Sequence, residues 1–519
     1  MKSLPVIYPF LFALYPILAL YAVNISAITI KYIQIPILLA LAVTFLLWLG
    51  LNLIIKNKRK TGLLLLLILF LFFYYGHVQR ILLLNDWRIG EHRYLLSIWG
   101  SLLLLTIFLI YKSKSDFYNH TWVLNLVIFV SLLHPLLKAI PYEFKRRQLE
   151  AELAQAKAIA NSELDIHHNA GFETIKEKPD IYYIIFDRYA NANVLQQTFD
   201  YDNSDFTDFL TERGFFVAPE SQANYPKTFL SLASSLNLQY LDYFQVAKDW
   251  DDHTLVWSLL QEYKVWQFLQ EEGYTFIHFG DWWLPTSVNN FADTNINYTP
   301  LGSNSFATLL LDMSVARPVI KHFIGDSDDH QRTRILYKFE QLGQIAETDG
   351  PKFVFAHMLI PHDPYIFGPN GEAVTKAETD SRTVTENYIN QLTFANKQIK
   401  IMVDEILANS DSPPIIIIQS DEGPFLVPEL LTPEFDDSQN WSRISPQALE
   451  THLKILNAYY LPGFDQDILY ESISPVNTFR VIFNFYFGAD FPLLEDKSYI
   501  SEGDNLPYNF IEMPPASAD

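Results

Sequence analysis

Apolar positions crowd the first 140 residues in five runs: Leu4–Val23, Ile35–Ile55, Gly62–Gly76, Tyr94–Tyr111 and Trp122–Leu137. A hydrocarbon core of roughly 30 Å takes about 20 apolar residues wound as a helix. Leu4–Val23 and Ile35–Ile55 meet that length as they stand. Gly62–Gly76 meets it by continuing to Leu84, with Arg80 reaching its charged head to the interface. The pattern therefore predicts a transmembrane region of about five helices over residues 1–140. Lys2 and the apolar run behind it imitate a secretory signal, but further spans follow and no small-residue cleavage pattern stands out. Tyr142–Leu164 is charged and rich in Ala, Glu, Gln and Leu, which predicts a juxtamembrane helix inside a 141–177 connection.

From residue 178 to 519 the pattern becomes that of a folded α/β domain. Short β-rich runs predict strands at Asp180–Phe186, Phe215–Val217, Tyr274–Phe279, Phe353–Met358 and Ile415–Gln419. Amphipathic runs predict helices at Asn203–Arg213, Thr228–Leu236, Leu255–Glu271 and Thr385–Leu407. Strands that alternate with helices make a largely parallel sheet covered by helices on both faces. In such sheets ligands sit beyond the carboxyl ends of the strands.

Charge adds an orientation. The loop after the second run carries Lys56, Lys58, Arg59 and Lys60, and the loop after the fourth carries Lys112 and Lys114. Basic loops stay in the cytoplasm, so the soluble domain is expected on the extracytoplasmic side of a multi-pass inner-membrane protein. Lys145, Arg146 and Arg147 beyond the fifth run argue the other way, and the soluble domain stays cytoplasmic if the third run does not cross; this basic cluster either touches anionic headgroups or forms a solvated helix face. The first 150 residues hold 15 basic and 5 acidic side chains, and the remainder 22 and 54. So acidic a domain excludes nucleic acid as a partner, because counterion release needs a basic face. The chain has no cysteine, which removes disulfides, thiolate metal sites and cysteine nucleophiles.

The strand-end rule selects the candidate chemistry. Asp187 and Arg188 follow the first strand, His357 and His362 lie at and beyond the Phe353 strand, and Asp421 and Glu422 follow the Ile415 strand. Acidic residues gathered at strand ends suit a hard divalent cation, although one such Asp alone is usually a cap or turn residue. Thr228 opens a helix, where Thr is most often an N-cap. The same position also offers free N–H groups to an oxyanion and suits a nucleophile activated by a metal. Arg188 is placed to bind phosphate or to pair with a carboxylate. His278, Asp281, Trp282 and Trp283 follow a strand and either line the pocket or pack. His452 and Lys454 are candidates for an anionic substrate or for the surface, and Arg480 reads as structural.

At these residues the chain resembles the sulfatase-like branch of the alkaline phosphatase superfamily, and within it membrane-anchored proteins similar to lipoteichoic acid synthases and phosphoethanolamine transferases. The elements that carry the resemblance run in the family's order: Pro179–Asp187, the Thr228 helix, Gly273-Tyr274 with its strand, Pro361–Tyr365 and Ser420–Gly423. The resemblance implies Asp187, Thr228 and Asp421 as metal ligands, with Thr228 also the nucleophile that forms a covalent phospho-enzyme. It implies that His362 binds the ester oxygens or assists the leaving group, with His357 a rival for that task. Two positions depart from the pattern. Glu422 stands where the family has His, which favours Mn, Mg or Ca over Zn as the one divalent ion or marks a lost site. Thr228, in a chain without Cys, argues against formylglycine chemistry and so against sulfate esters. The expected protein is a membrane-bound hydrolase or transferase acting on phosphate esters of envelope lipids or glycans. The alternative is a catalytically inactive scaffold or binding protein. A transporter is disfavoured, because the spans hold almost no charge.

Overall fold

Tyr, Ile and Phe fill the run Ile181–Phe186 without a polar break, and every one of those side chains is buried. Such a strand needs cover on both faces, and the computed structural model supplies it. The structure describes residues 4–162, 178–300, 302, 304–325, 327–432, 435, 439–463, 468–503 and 505–514. The chain forms two units: Met1–Gln148 with Pro300–Asp326, and Leu149–Thr299 with Ser327–Asp519.

The first unit is helical: α1 (Tyr8–Val23), α2 (Lys31–Ile55), α3 (Lys58–Leu84), α4 (His92–Lys112) and α5 (Tyr118–Ser162). The last four are long and apolar enough to cross a membrane. Helix α1 has only 16 residues, about 24 Å at 1.5 Å per residue. It starts four residues later than the apolar run because Pro9 sits in its first turn. The third run forms one continuous helix beyond Arg80, capped by the Asn57 side chain. Helix α5 passes through Pro135 and Pro141, so the fifth run and the juxtamembrane helix are a single element. The end of that expected helix, Glu163-Leu164, lies outside the described residues.

At one end of this unit the Arg59 guanidinium pairs with Asp116 at 3.3 Å, and the Lys60 ammonium donates to the Ser113 carbonyl at 2.6 Å. At the other end Arg146 is buried, paired with Glu143 and bonded to the Tyr21 hydroxyl at 3.3 Å. Arg146 thus departs from the expectation of a headgroup contact: its charge is matched by Glu143.

The second unit is built on a seven-stranded sheet. Its strands are β1 (Ile181–Phe186), β2 (Phe216–Val217), β3 (Thr275–Phe279), β4 (Thr294–Ile296), β5 (Lys352–Met358), β6 (Ile415–Gln419) and β7 (Asn457–Tyr460), ordered β2-β7-β6-β1-β5-β3-β4. Strands β6, β1, β5, β3 and β4 run parallel, and β7 runs antiparallel to both β6 and β2. The expected class holds: apolar helices followed by a mostly parallel α/β domain.

Strand parity divides the core. Ile181, Tyr183, Ile185, Phe353, Phe355, Ile415 and Ile417 pack with the helix Thr228–Leu236 on one face. Tyr182, Ile184, Phe186, Val354, Ala356, Ile416 and Ile418 pack on the other with the helix Val384–Asn409. That long helix buries Tyr388, Leu392, Ala395, Ile399, Met402 and Ile406, a 3–4 residue spacing. It begins one residue before the predicted start because Thr383 and Glu386 form a capping box. One expected helix is broken. Leu255–Glu271 folds as a 3₁₀ stretch His253–Leu260 and a helix Lys264–Glu271. The interruption seats Tyr263 in the core and lets the Gln261 amide donate to the carbonyls of Pro285 and Val288. Tertiary anchors outweigh a helix propensity of a few tenths of a kcal/mol per residue.

Candidate active site

Register brings the site together. Ile185 of β1 pairs with His357 of β5 on one side and with Gln419 of β6 on the other. His357 therefore shares the Ile185 face, as do Asp187 and Asp421, each two residues further along its chain. Asp187, His357 and Asp421 are buried, and each offers a donor atom within 4.8 Å of the other two. His357 Nε2 lies 3.5 Å from Asp187 Oδ2. Asp187 Oδ1, His357 Nε2 and both oxygens of Asp421 have no hydrogen-bond partner. Buried acceptors are rarely left so, and a divalent cation is the partner this donor set suits. Two carboxylates and an imidazole match the ligand chemistry of Zn²⁺ as well as that of Mn²⁺.

The surroundings orient His357. The Thr286 hydroxyl meets its Nδ1 at 3.0 Å, leaving Nε2 turned to the carboxylates. The buried Lys338 ammonium donates to the His357 carbonyl at 2.5 Å and pairs with buried Asp281. Burial pushes the Lys338 pKa down, against the pull of Asp281. The Trp283 ring packs edge-on against His357, with centroids 5.7 Å apart. Neither Thr286 nor Lys338 was marked as a site residue by the sequence. Lys338 belongs to the charged helix Ser327–Gln344, on its buried side.

The carboxyls titrate differently. Burial raises the Asp187 pKa, but His362, His357 and Arg188 outweigh it and the net shift is downward. Asp421 is pushed up to about 7 by burial and by the charge of Asp187, while the Thr228 side chain acts to lower it. Thr228 is thus turned towards Asp421. It is the first residue of its helix, not the cap. Lys227 holds the cap position without a side-chain bond, so the capping reading of Thr228 does not apply.

Glu422 is buried beside this group, and burial and Asp421 raise its pKa well above the ordinary range. Its Oε1 accepts from Arg188 Nε at 3.4 Å and its Oε2 has no partner. Arg188 also pairs with Asp363 at 2.5 Å and lies 4.3 Å from the Phe425 ring centre. Its φ of +65° is held by the Tyr388 hydroxyl, which donates to the Arg188 carbonyl. His362 keeps a side chain 18% exposed and acts on Asp187 electrostatically. Gln391 fixes its loop by donating to the His362 carbonyl at 2.7 Å.

Other expected contacts differ. Lys454 is engaged by Glu220 at 3.1 Å and Glu450 at 2.9 Å, so its charge is already matched. Trp283 touches His357, whereas Trp282 is 41% exposed. His452 is buried between Trp441 and Phe425, and burial holds it neutral with a pKa of about 3. His278 bonds the Thr286 carbonyl at 2.8 Å and is pushed down to about 4 by burial. Arg480 is structural, donating to the carbonyls of Leu238 and Pro492.

The sequence matches the family model described as Sulfatase over residues 179–474. That span is more than half of the 519 residues, and the chain belongs to the sulfatase family. No curated protein matches it. Among solved structures, the C-terminal periplasmic domain of EcEptC from Escherichia coli, in complex with Zn, is similar at 12% identity. That likeness covers 68% of this chain and 97% of the other, with a TM-score of 0.44. The integral membrane protein lipooligosaccharide phosphoethanolamine transferase A from Neisseria meningitidis is similar at 14% identity over 92% and 94%, with a TM-score of 0.40. The lipoteichoic acid synthase LtaP from Listeria monocytogenes is similar at 12% identity over 68% and 81%, with a TM-score of 0.39.

Proposed function

We propose that this protein is a membrane-anchored, metal-dependent hydrolase or transferase that acts on phosphate esters of envelope lipids or glycans. The observation that carries the reading is the buried group Asp187, His357 and Asp421. Its donor atoms lie within 4.8 Å of one another and are unpartnered, and Thr228 faces it. Asp187, His357 and Asp421 would hold one divalent ion, with Glu422 and Thr228 close to that group. Bound there, the ion supplies a Lewis acid for the phosphoryl oxygens. Thr228 is the nucleophile: its Oγ bonds to phosphorus as the ester's P–O bond breaks, and its proton passes to a nearby carboxylate. The first N–H groups of the Thr228 helix stabilise charge on the phosphoryl oxygens. His362, partly exposed, protonates the departing oxygen. Water or an acceptor alcohol then takes the phosphoryl group from Thr228.

The soluble unit works on the extracytoplasmic side. The short loops after α2 and α4 carry Lys56, Lys58, Arg59, Lys60, Lys112 and Lys114 and meet through the contacts of Arg59 and Lys60, and basic loops stay in the cytoplasm. Arg146, at the opposite end, is matched by Glu143 and weighs less against that placement.

Thr228→Ala tests the reading. The variant should fold, bind the divalent ion and lose turnover of bis(p-nitrophenyl) phosphate by a factor of at least about 10³. Unchanged turnover would remove Thr228 as the nucleophile. Mass spectrometry of the wild type after a quench should find phosphate on the Thr228 peptide.

A further inference from the structure

The segment Pro300–Asp326 interrupts the α/β unit in sequence but belongs to the helical unit. Its backbone docks on α3 at two points. Gly76 N donates to the Met313 carbonyl and Val315 N donates to the Phe72 carbonyl, both at 2.9 Å. Phe72 and Gly76 are one helical turn apart, and a Cβ at Gly76 would stand 2.7 Å from the Met313 oxygen. Only glycine allows so close an approach. The Asn304 side chain adds a bond to the Tyr32 carbonyl at the start of α2.

Depth follows from helix geometry. Gly76 lies about 27 Å along α3 from Lys58, at 1.5 Å per residue. The apolar run of α3 ends there, followed by His77, Gln79 and Arg80. The segment is therefore fixed at the polar break of α3 formed by His77, Gln79 and Arg80, on the side away from the Lys56–Lys60 loop. Its helix Arg317–Ile324 is amphipathic, and Val319 and Phe323 are 57% and 78% exposed. Arg317 and Lys321 act electrostatically on His92, whose ring bonds the Tyr75 hydroxyl at 2.8 Å and the Gln79 amide at 3.0 Å. Among the described residues Arg317 forms no ion pair. A cation over a polar notch, with bulky apolar side chains beside it at this depth, matches the amphipathic boundary of a lipid monolayer.

We propose that residues 304–324 form a re-entrant strap that binds the phosphate of an anionic phospholipid at Arg317, with Val319 and Phe323 in the acyl boundary. The strap stands independently of the catalytic reading. It gives the α/β chain a second attachment to the bilayer, 140 residues beyond α5.

Two measurements on the full chain in nanodiscs test this. In native mass spectrometry the wild type should retain phosphatidylglycerol. Arg317→Gln should lower that retention about fivefold, at roughly 1 kcal/mol per basic residue. Equal retention by this variant overturns the headgroup site, and displacement of the lipid by millimolar inorganic phosphate overturns a lipid source for the anion. The chain has no cysteine, so Phe323→Cys takes a single spin label, with Val384→Cys as an aqueous reference. Greater accessibility to oxygen than to a nickel chelate at position 323 supports the strap. A label there as water-accessible as at 384 overturns it, whatever lipid is retained.

Discussion

At the scale of single residues, His357 shows how a side chain acquires a role from its neighbours. Its Nδ1 is held by Thr286 at 3.0 Å, which leaves Nε2 for the two carboxylates. Thr286→Val keeps the shape and removes that hold. Affinity for Mn²⁺ or Zn²⁺, measured by calorimetry, should fall 10–100-fold, the usual effect of removing a ligand's orienting partner. Stability should change by only about 1–2 kcal/mol. A second expectation concerns pH. The Asp421 pKa is raised from 3.8 to about 7, so the folded state holds a proton that the unfolded chain releases. Its contribution to stability is present below about pH 4 and is lost as pH rises towards 7. A divalent ion needs the carboxylate, so ion affinity should rise through the same window. Below pH 7 calorimetry in two buffers should find about one proton released per ion, and Asp421→Asn should abolish that release.

At the scale of elements, the close backbone approaches at Gly423 and Gly76 need glycine. Gly423 follows Glu422, and a Cβ there would stand 2.2 Å from the His452 carbonyl, to which its own N–H donates at 2.7 Å. Gly76 plays the same part in α3. Ala at position 76 is the better helix former by about 1 kcal/mol, so Gly76→Ala should leave α3 intact and push the Met313 backbone away. A spin label on Phe323→Cys should then gain water accessibility relative to the same label with Gly76 in place. Most element boundaries were legible in the sequence. Thr228–Leu236 and Ile415–Gln419 have the predicted ends, because Lys227 and Asn237 bound the first and Pro414 and Ser420 the second. Leu255–Glu271 was not legible, because the bonds that break it come from Pro285 and Val288.

At the scale of the whole molecule, the absence of cysteine makes topology testable. Lys114→Cys lies in a loop after α4, and Val384→Cys lies in the α/β unit. A membrane-impermeant maleimide applied to intact spheroplasts should label position 384 and leave position 114 until the membrane is opened. The reverse pattern would place the α/β unit in the cytoplasm and contradict an envelope substrate.

The amino-acid sequence is enough for the apolar helices, the parallel sheet and the strand ends where acidic residues gather, since these follow from hydrophobic period and from residues adjacent in the chain. It named Asp187, Thr228 and Asp421 but ranked Glu422 above His357 as a ligand. Only the pairing of Ile185 with His357 and Gln419 put the imidazole beside the carboxylates, while Arg188 drew one oxygen of Glu422 to itself. Tertiary structure also decided that Lys338 is buried and that Pro300–Asp326 belongs to the helical unit. Both depend on partners distant in the chain, and a local pattern carries no information about them.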